Sequence, residues 1–204
     1  MQGLLIETVR CANIGPINLT IEPEQCIGLS GDSGSGKTRL LRTIADLDPH
    51  EGLISVNNTE QSAIPGSQWR TWVGLLSSEI AWWYESVGMH FMRWPAELIE
   101  SVGFSQSIKD QEVARLSSGE KQRLGFARLL ALQPTVLLLD EPTANLDRQN
   151  RARIESIVHE YQLLGASVLW VSHDPNQIRR VCSKHVRLNQ GQLEVIDTVP
   201  ARSD

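Results

Sequence analysis

The eight residues Gly31-Asp32-Ser33-Gly34-Ser35-Gly36-Lys37-Thr38 (GDSGSGKT) decide the fold. They match G-x-x-x-x-G-K-[ST] in full and lie between an apolar stretch, Cys26–Ser30, and a segment in which Leu40, Leu41, Ile44 and Leu47 share one helical face. Strand, glycine-rich loop and amphipathic helix is the setting this motif needs. Small side chains let successive backbone N–H groups turn toward one anion, and the helix N-terminus adds about half a positive charge. Lys37 is then placed to contact the β and γ phosphates of a nucleotide, and Thr38 to coordinate Mg²⁺. A glycine-rich turn that binds nothing is the bland alternative, and the flanking pattern weighs against it.

Further along, the uninterrupted apolar run Val136–Leu139 suits a parallel strand buried on both faces. It ends in Asp140-Glu141, which puts two carboxylates at the C-terminal edge of a sheet, where ligands collect in open α/β folds. A solvated acidic turn ahead of Pro142 is the competing reading. His173 ends another strand-like run, Val168–Ser172, where a histidine is often only a polar terminus.

Strand-like runs alternate with helical patterns through the rest of the chain, which predicts an α/β domain with a mainly parallel sheet. Ile17–Ile21 and Cys26–Ser30 flank a short turn at Glu22–Gln25, so a small antiparallel β part is expected at the N-terminal end. Gly52–Val56 and Val73–Leu76 read as strands separated by a polar, Gly- and Pro-containing segment. Ile154, Ile157, Val158, Tyr161 and Leu164 make a helical stripe that Gly165 stops. Asp174-Pro175 opens a helix with an N-cap and a proline at its first position, with Ile178, Val181 and Cys182 on its inner face. A hairpin is expected around Asn189–Gln192. Residues 79–115 break the alternation and read as a short helical lobe, with a helix from Pro95 to Gly103 inserted in a single domain spanning residues 1–204.

The composition is ordinary for a soluble globular protein: 204 residues, 41% hydrophobic, 21% charged, and a formal net charge of -5 that implies no general affinity for nucleic acid. A chain of this size buries about 70% of its unfolded surface. No window approaches the roughly 20 apolar residues that span a bilayer, and no export signal precedes residue 10, so a cytoplasmic location is expected. Cys11, Cys26 and Cys182 are odd in number and scattered, which suggests neither a disulfide framework nor a zinc site.

Taken in order, the phosphate loop, the pentapeptide Leu116-Ser117-Ser118-Gly119-Glu120 and the strand ending in Asp140-Glu141 resemble the nucleotide-binding subunit of an ATP-binding cassette (ABC) transporter over most of the chain. The resemblance implies a P-loop NTPase fold with a RecA-like core, and ATP and Mg²⁺ as ligands. It further implies that a homodimer or a pair of ABC subunits closes on ATP to drive a separate membrane permease from the cytoplasmic face of the inner or plasma membrane. Asp140 then corresponds to the aspartate that acts on Mg²⁺, Glu141 to the general base, and His173 to the histidine that reaches the γ-phosphate. Ser117, Ser118 and Gly119 correspond to the signature loop that binds the γ-phosphate held by the opposite subunit. Ala144-Asn145-Leu146-Asp147 resembles the D-loop that crosses the same interface, with Asp147 as its acidic residue. Local physics offers plainer readings that are compatible with these: Ser117-x-x-Glu120 is a capping box, and Asp147 is an N-cap.

The chain also departs from the family pattern. Ser118 and Glu120 replace a glycine and a glutamine of the signature. A glutamine that touches Mg²⁺ normally follows the strand matching Val73–Leu76; here Ser78 aligns with it, and Glu79 is the neighbouring oxygen donor. No aromatic residue lies in Val9–Pro16, where the family places a ring against adenine. Trp82-Trp83-Tyr84, with Phe91 and Trp94, cannot all face one interior; they read either as a docking surface for a membrane subunit or as the core of the lobe. Two other functions compete with transport: a soluble ABC ATPase acting on nucleic acid or ribosomes, and a binding module that has lost turnover. The absence of a coiled-coil insertion and of a second cassette weighs against the first, and retention of Lys37, Asp140, Glu141 and His173 weighs against the second.

Overall fold

Residues 3–198 are described by a computed structural model of the chain. In chain order its elements are β1 (Leu4–Cys11), β2 (Ile14–Ile21), β3 (Cys26–Ser30), α1 (Lys37–Ile44), β4 (Glu51–Val56), β5 (Thr59–Glu60), α2 (Gly66–Trp72), β6 (Val73–Leu76), α3 (Ala96–Ser101), α4 (Ser118–Leu130), β7 (Val136–Asp140), α5 (Arg148–Leu163), β8 (Ser167–Val171), α6 (Pro175–Val181), β9 (Lys184–Asn189) and β10 (Gln192–Thr198). One sheet of six strands has the order β10-β9-β3-β8-β7-β6, and a second of four has the order β2-β1-β4-β5. In the larger sheet β9, β3, β8, β7 and β6 run parallel and only β10 is antiparallel. The smaller sheet is antiparallel throughout.

The alternation of side chains along each central strand divides the core in two. Val136, Leu138, Leu169 and Val171 join β1, β2, β4 and α1 in one apolar layer. Leu137, Leu139, Val168 and Trp170 join α3, α4, α5 and α6 in the other. Both faces of β7 and β8 are therefore covered, which is why Val136–Leu139 and Val168–Val171 are apolar without interruption.

Three local expectations are corrected. The antiparallel part at the N-terminal end forms, but not between β2 and β3: β2 pairs with β1, while β3 lies between β8 and β9 in the other sheet. The residues explain the separation, because β2 alternates buried and exposed positions whereas Cys26–Leu29 are all buried. Leu47 does not continue the inner face of α1; the helix ends at Ile44, Asp46 turns the chain at φ 58, and Leu47 is 44% exposed. Leu164 likewise lies past the end of α5 and is 84% exposed, with Gly165 following at φ 104.

The polar segment between β4 and β6 holds α2, whose fully buried Trp69 donates Nε1–H to the Ile44 carbonyl at the end of α1. Residues 79–115 contain α3 and 3-10 turns at Val87–His90, Gln106–Asp110 and Val113–Arg115. Ile99 and Val102 are buried, and Gly103 follows at φ 88. β9 and β10 form the closing hairpin.

Candidate functional site

Strand register gathers the site. Leu29 of β3 is level with Val171 of β8, Val171 with Asp140 of β7, and Leu139 with Leu76 of β6. The segments beginning at Gly31, Glu141, Ser172 and Ser77 therefore leave the sheet side by side at its C-terminal edge. Two backbone bonds across this edge, Glu141 N–H to the Val171 carbonyl and Ser172 N–H to the Leu29 carbonyl, each 3.3 Å, hold the first three together.

The loop 31–38 turns into α1 at Gly36, whose φ of 103 favours glycine and whose missing Cβ leaves room for Ile14 Cδ1. Lys37 is the first residue of α1 and is 7% exposed, with its ammonium donating to the carbonyls of Gly31 at 2.8 Å and Asp32 at 3.0 Å. Burial pulls its pKa below the ordinary lysine value, while Glu141, Asp140 and Asp32 push it back up. Ser35 N–H donates to the Asp32 carbonyl, and the Ser35 hydroxyl is buried without a hydrogen-bond partner. A phosphate oxygen fits such an orphan donor. Ser33 and Gly34 are exposed at the loop's tip.

Thr38 Oγ1–H donates to Asp140 Oδ2 at 2.7 Å, joining the start of α1 to the end of β7. Asp140 is 3% exposed. A hydroxyl beside a carboxylate is an all-oxygen donor set of the kind that suits Mg²⁺. Glu141 adopts φ 52, a left-handed conformation uncommon outside glycine, which costs about 1–3 kcal/mol and is held by its bond to β8. Its Oε1 lies 2.8 Å from His173 Nε2. Glu141, Thr143, Ala144, Ser172, His173 and Gln177 are among the residues around an open pocket of about 360 Å³.

The pentapeptide Leu116–Glu120 forms a capping box at the start of α4. Ser117 is its N-cap: the hydroxyl accepts from Glu120 N–H at 3.3 Å, and Glu120 Oε2 accepts from both Ser117 N–H and Oγ–H at 2.8 Å. These bonds hold the Glu120 carboxyl below its usual pKa. Gly119 packs against the chain carrying the D-loop-like residues, where an added Cβ would come within 2.9 Å of the Asn145 carbonyl. Ser118 is exposed. Asp147 caps α5 by accepting from Asn150 N–H at 2.8 Å, and that bond is the main cause of its lowered pKa.

Ser78 and Glu79 leave β6 beside Asp140–Glu141, and both are exposed. Sequence reasoning missed two residues at this edge. Arg187 of β9 donates to Asp32 Oδ1 at 2.9 Å, and Gln177 of α6 is buried beneath the His173 segment. Only the β3–β9 pairing could have revealed Arg187, and only the packing of α6 against Thr143 and Glu155 could have revealed Gln177. The end of α6 brings Cys182 Sγ to 3.4 Å from Cys26 Sγ of β3, both buried and free. Among the described residues no helix is long and apolar enough to cross a membrane.

A sequence model of the family described as ABC transporter matches residues 14–144. The chain is similar to the energy-coupling factor transporter ATP-binding protein EcfA2 of Caldanaerobacter subterraneus, 30% identical over 89% of this chain and 71% of that protein. It is also similar to the methionine import ATP-binding protein MetN 1 of Pseudomonas putida, 34% identical over 88% of this chain and 60% of that protein. It thus spans less than two thirds of the methionine-import relative. A solved ATP-binding subunit of an ABC transporter superposes with TM-score 0.85 at 20% identity, covering 96% of this chain and 90% of that one. The structure of cbiO1 from Clostridium perfringens, part of the ABC transporter complex cbiONQ, superposes with TM-score 0.79 at 23% identity, covering 98% of this chain and 89% of that one.

Proposed function

The chain belongs to the ABC transporter family, and on that premise we propose that it binds and hydrolyses ATP as the motor subunit of a transporter, pairing with a second cassette to drive a separate membrane permease. The observation that carries the reading is the convergence of Lys37, Thr38, Asp140, Glu141 and His173 at one sheet edge, from one helix and the ends of two strands far apart in sequence.

In this reading the loop 31–38 cradles the phosphates with backbone N–H groups, and Lys37 places its buried ammonium on the β and γ oxygens. Thr38 and Asp140 hold Mg²⁺, which when bound neutralises charge on those oxygens. Glu141 accepts a proton from the attacking water or orients it, and His173 donates Nε2–H toward the γ-phosphate. The Ser118 and Gly119 N–H groups, and the Ser117 hydroxyl once it turns from the Glu120 carboxylate, serve as donors to the triphosphate of the opposite subunit, so each chain carries half of each site. Gly119 and Asn145 meet inside one chain, which lets the signature and D-loop segments present a joint surface to that partner.

The test is assembly in the Glu141→Gln background. With Mg-ATP this variant should bind nucleotide and become dimeric by light scattering or sedimentation, and adding Ser117→Ala should weaken that dimer about tenfold or more. Unchanged dimerisation on loss of the Ser117 hydroxyl removes the two-sided grip. Transport coupling is tested separately, by identifying the membrane protein that co-purifies with the chain.

A further inference from the structure

Gln177 is a polar side chain on the short helix α6, 3% exposed, with its amide's hydrogen-bonding groups engaged by three different elements. Its Oε1 accepts from Ser172 Oγ at 2.8 Å. Its Nε2 donates to Thr143 Oγ1 and to Glu155 Oε1, each at 2.8 Å. The orientation of the amide is fixed by chemistry, because an ionised Glu155 can only accept and so requires the NH₂. Burial raises the Glu155 carboxyl, but hydrogen bonds from Arg180 and Gln177 outweigh it and hold the pKa below the ordinary value.

The anchored residues matter for where they sit. Ser172 immediately precedes His173, and its Oγ also accepts Asp174 N–H at 3.0 Å, which fixes the turn on the far side of that histidine. Thr143 comes two residues after Glu141 and is 3% exposed. The same amide therefore spans the two loops that carry the 2.8 Å Glu141–His173 contact and ties both to α5.

We propose that Gln177 is a positioning residue for hydrolysis: it sets the separation of the Glu141 and His173 loops and so governs the turnover step rather than nucleotide affinity. This rests on the roles given above to Glu141 and His173. Gln177 lies beneath these residues and is no part of the phosphate loop or of the Thr38–Asp140 pair. Its loss acts through geometry alone.

Two substitutions separate this from a plain packing role. Gln177→Leu keeps much of the volume and removes every bond; kcat should fall about 10- to 100-fold, with the Kd for ATP unchanged within about threefold. Gln177→Glu keeps an acceptor for Ser172 but sets a carboxylate against Glu155, so the introduced group resembles the amide only when protonated. Its kcat, taken as a ratio to wild type, should rise as pH falls from 8 to 6. A purely structural role gives this trend only in step with the folded fraction, which circular dichroism reads at each pH, whereas a positioning role gives it in fully folded protein. If Gln177→Leu does not fold, Thr143→Val removes one arm of the bridge and should lower kcat by about fivefold at unchanged Kd.

Wild-type kcat in Gln177→Leu, or in Thr143→Val where that variant must stand in, overturns the inference, as does a flat pH ratio for Gln177→Glu. If Glu141→Gln itself retains normal turnover, the underlying assignment of Glu141 has failed. If Glu141→Gln is inactive while the Gln177 variants are normal, only the positioning role has failed.

Discussion

Nε2 of His173 stands 2.8 Å from Oε1 of Glu141, joining the loops that leave two neighbouring parallel strands. With Glu141 as the proposed base and His173 as the proposed donor, two groups in contact act on the same step, so their removal should not be additive. Glu141→Gln should lower kcat by about 10²- to 10⁴-fold with ATP binding retained. His173→Ala should lower it by about 10²-fold. The double variant should be no slower than Glu141→Gln alone within about threefold, measured by phosphate release under single turnover. Multiplicative losses would show that the two residues serve separate steps.

What the sequence made legible here follows from range. The phosphate loop, the capping box at Ser117 and Glu120, and the N-caps at Asp147 and Asp174 depend on residues within a few positions, and their geometry follows from local hydrogen bonding. The two-faced burial of β7 is readable because Val136–Leu139 is apolar without interruption. Strand partners were not: the β2–β3 turn looks like a hairpin connection, and the burial pattern that separates the two strands emerges only once β8 and β9 flank β3. Arg187 with Asp32 and Gln177 with Thr143 are long-range pairs between surface-type residues, and no periodicity encodes them.

His90 should make the aromatic segment sensitive to acid. Its Nε2 accepts two backbone N–H groups, from Trp83 and Tyr84 at 3.0 Å each, while Nδ1–H donates to the Ser86 carbonyl at 3.0 Å. Protonation would convert the doubly used acceptor into a donor. Burial is the main cause of a pKa below the ordinary 6.5, opposed by hydrogen bonding to Ser86 and reinforced by the charge of Arg128. Because the folded value is depressed, this contribution to stability is fully present above 6.5 and is lost as pH falls through the folded value. Thermal melts followed by tryptophan fluorescence should therefore show Tm dropping on acidification, and His90→Gln should flatten that part of the profile. An identical pH dependence in the variant would assign the acid sensitivity elsewhere.

Nucleotide preference should be lax. Val9–Pro16, which covers the β1–β2 connection, contains no aromatic ring, and stacking on a base is worth about 1–3 kcal/mol in nucleic-acid sites. With recognition resting mainly on the phosphates, ATP and GTP should bind within about tenfold of each other, and ATP itself about 10- to 100-fold more weakly than a stacked site would allow. Competition of each nucleotide against a fluorescent analogue measures both. Strong discrimination against GTP would mean that another group reads the purine.

Trp83 offers the clearest place to separate docking from hydrolysis. It is 61% exposed, and Tyr84 at 47%, Met89 at 59% and Met92 at 101% lie in the same segment. Large apolar side chains gathered this way mark interaction surfaces, and exposed tryptophan is a typical anchor. Beneath it the Arg128 guanidinium sits 4.7 Å from the Trp83 ring centre and 4.8 Å from that of Trp82, and donates to the Ala81 carbonyl, so the presenting loop is braced from α4. Truncating Trp83 should leave that brace on Trp82 in place. Trp83→Ala should accordingly weaken binding to the co-purifying membrane partner by about 30-fold or more, the scale of a hot spot of about 2 kcal/mol, while basal ATPase stays within about twofold. Arg128→Ala should loosen the loop itself and lower Tm as well as partner binding. If Trp83→Ala instead lowers Tm and leaves affinity for the partner intact, the ring serves the packing of residues 79–115 and the docking surface lies elsewhere.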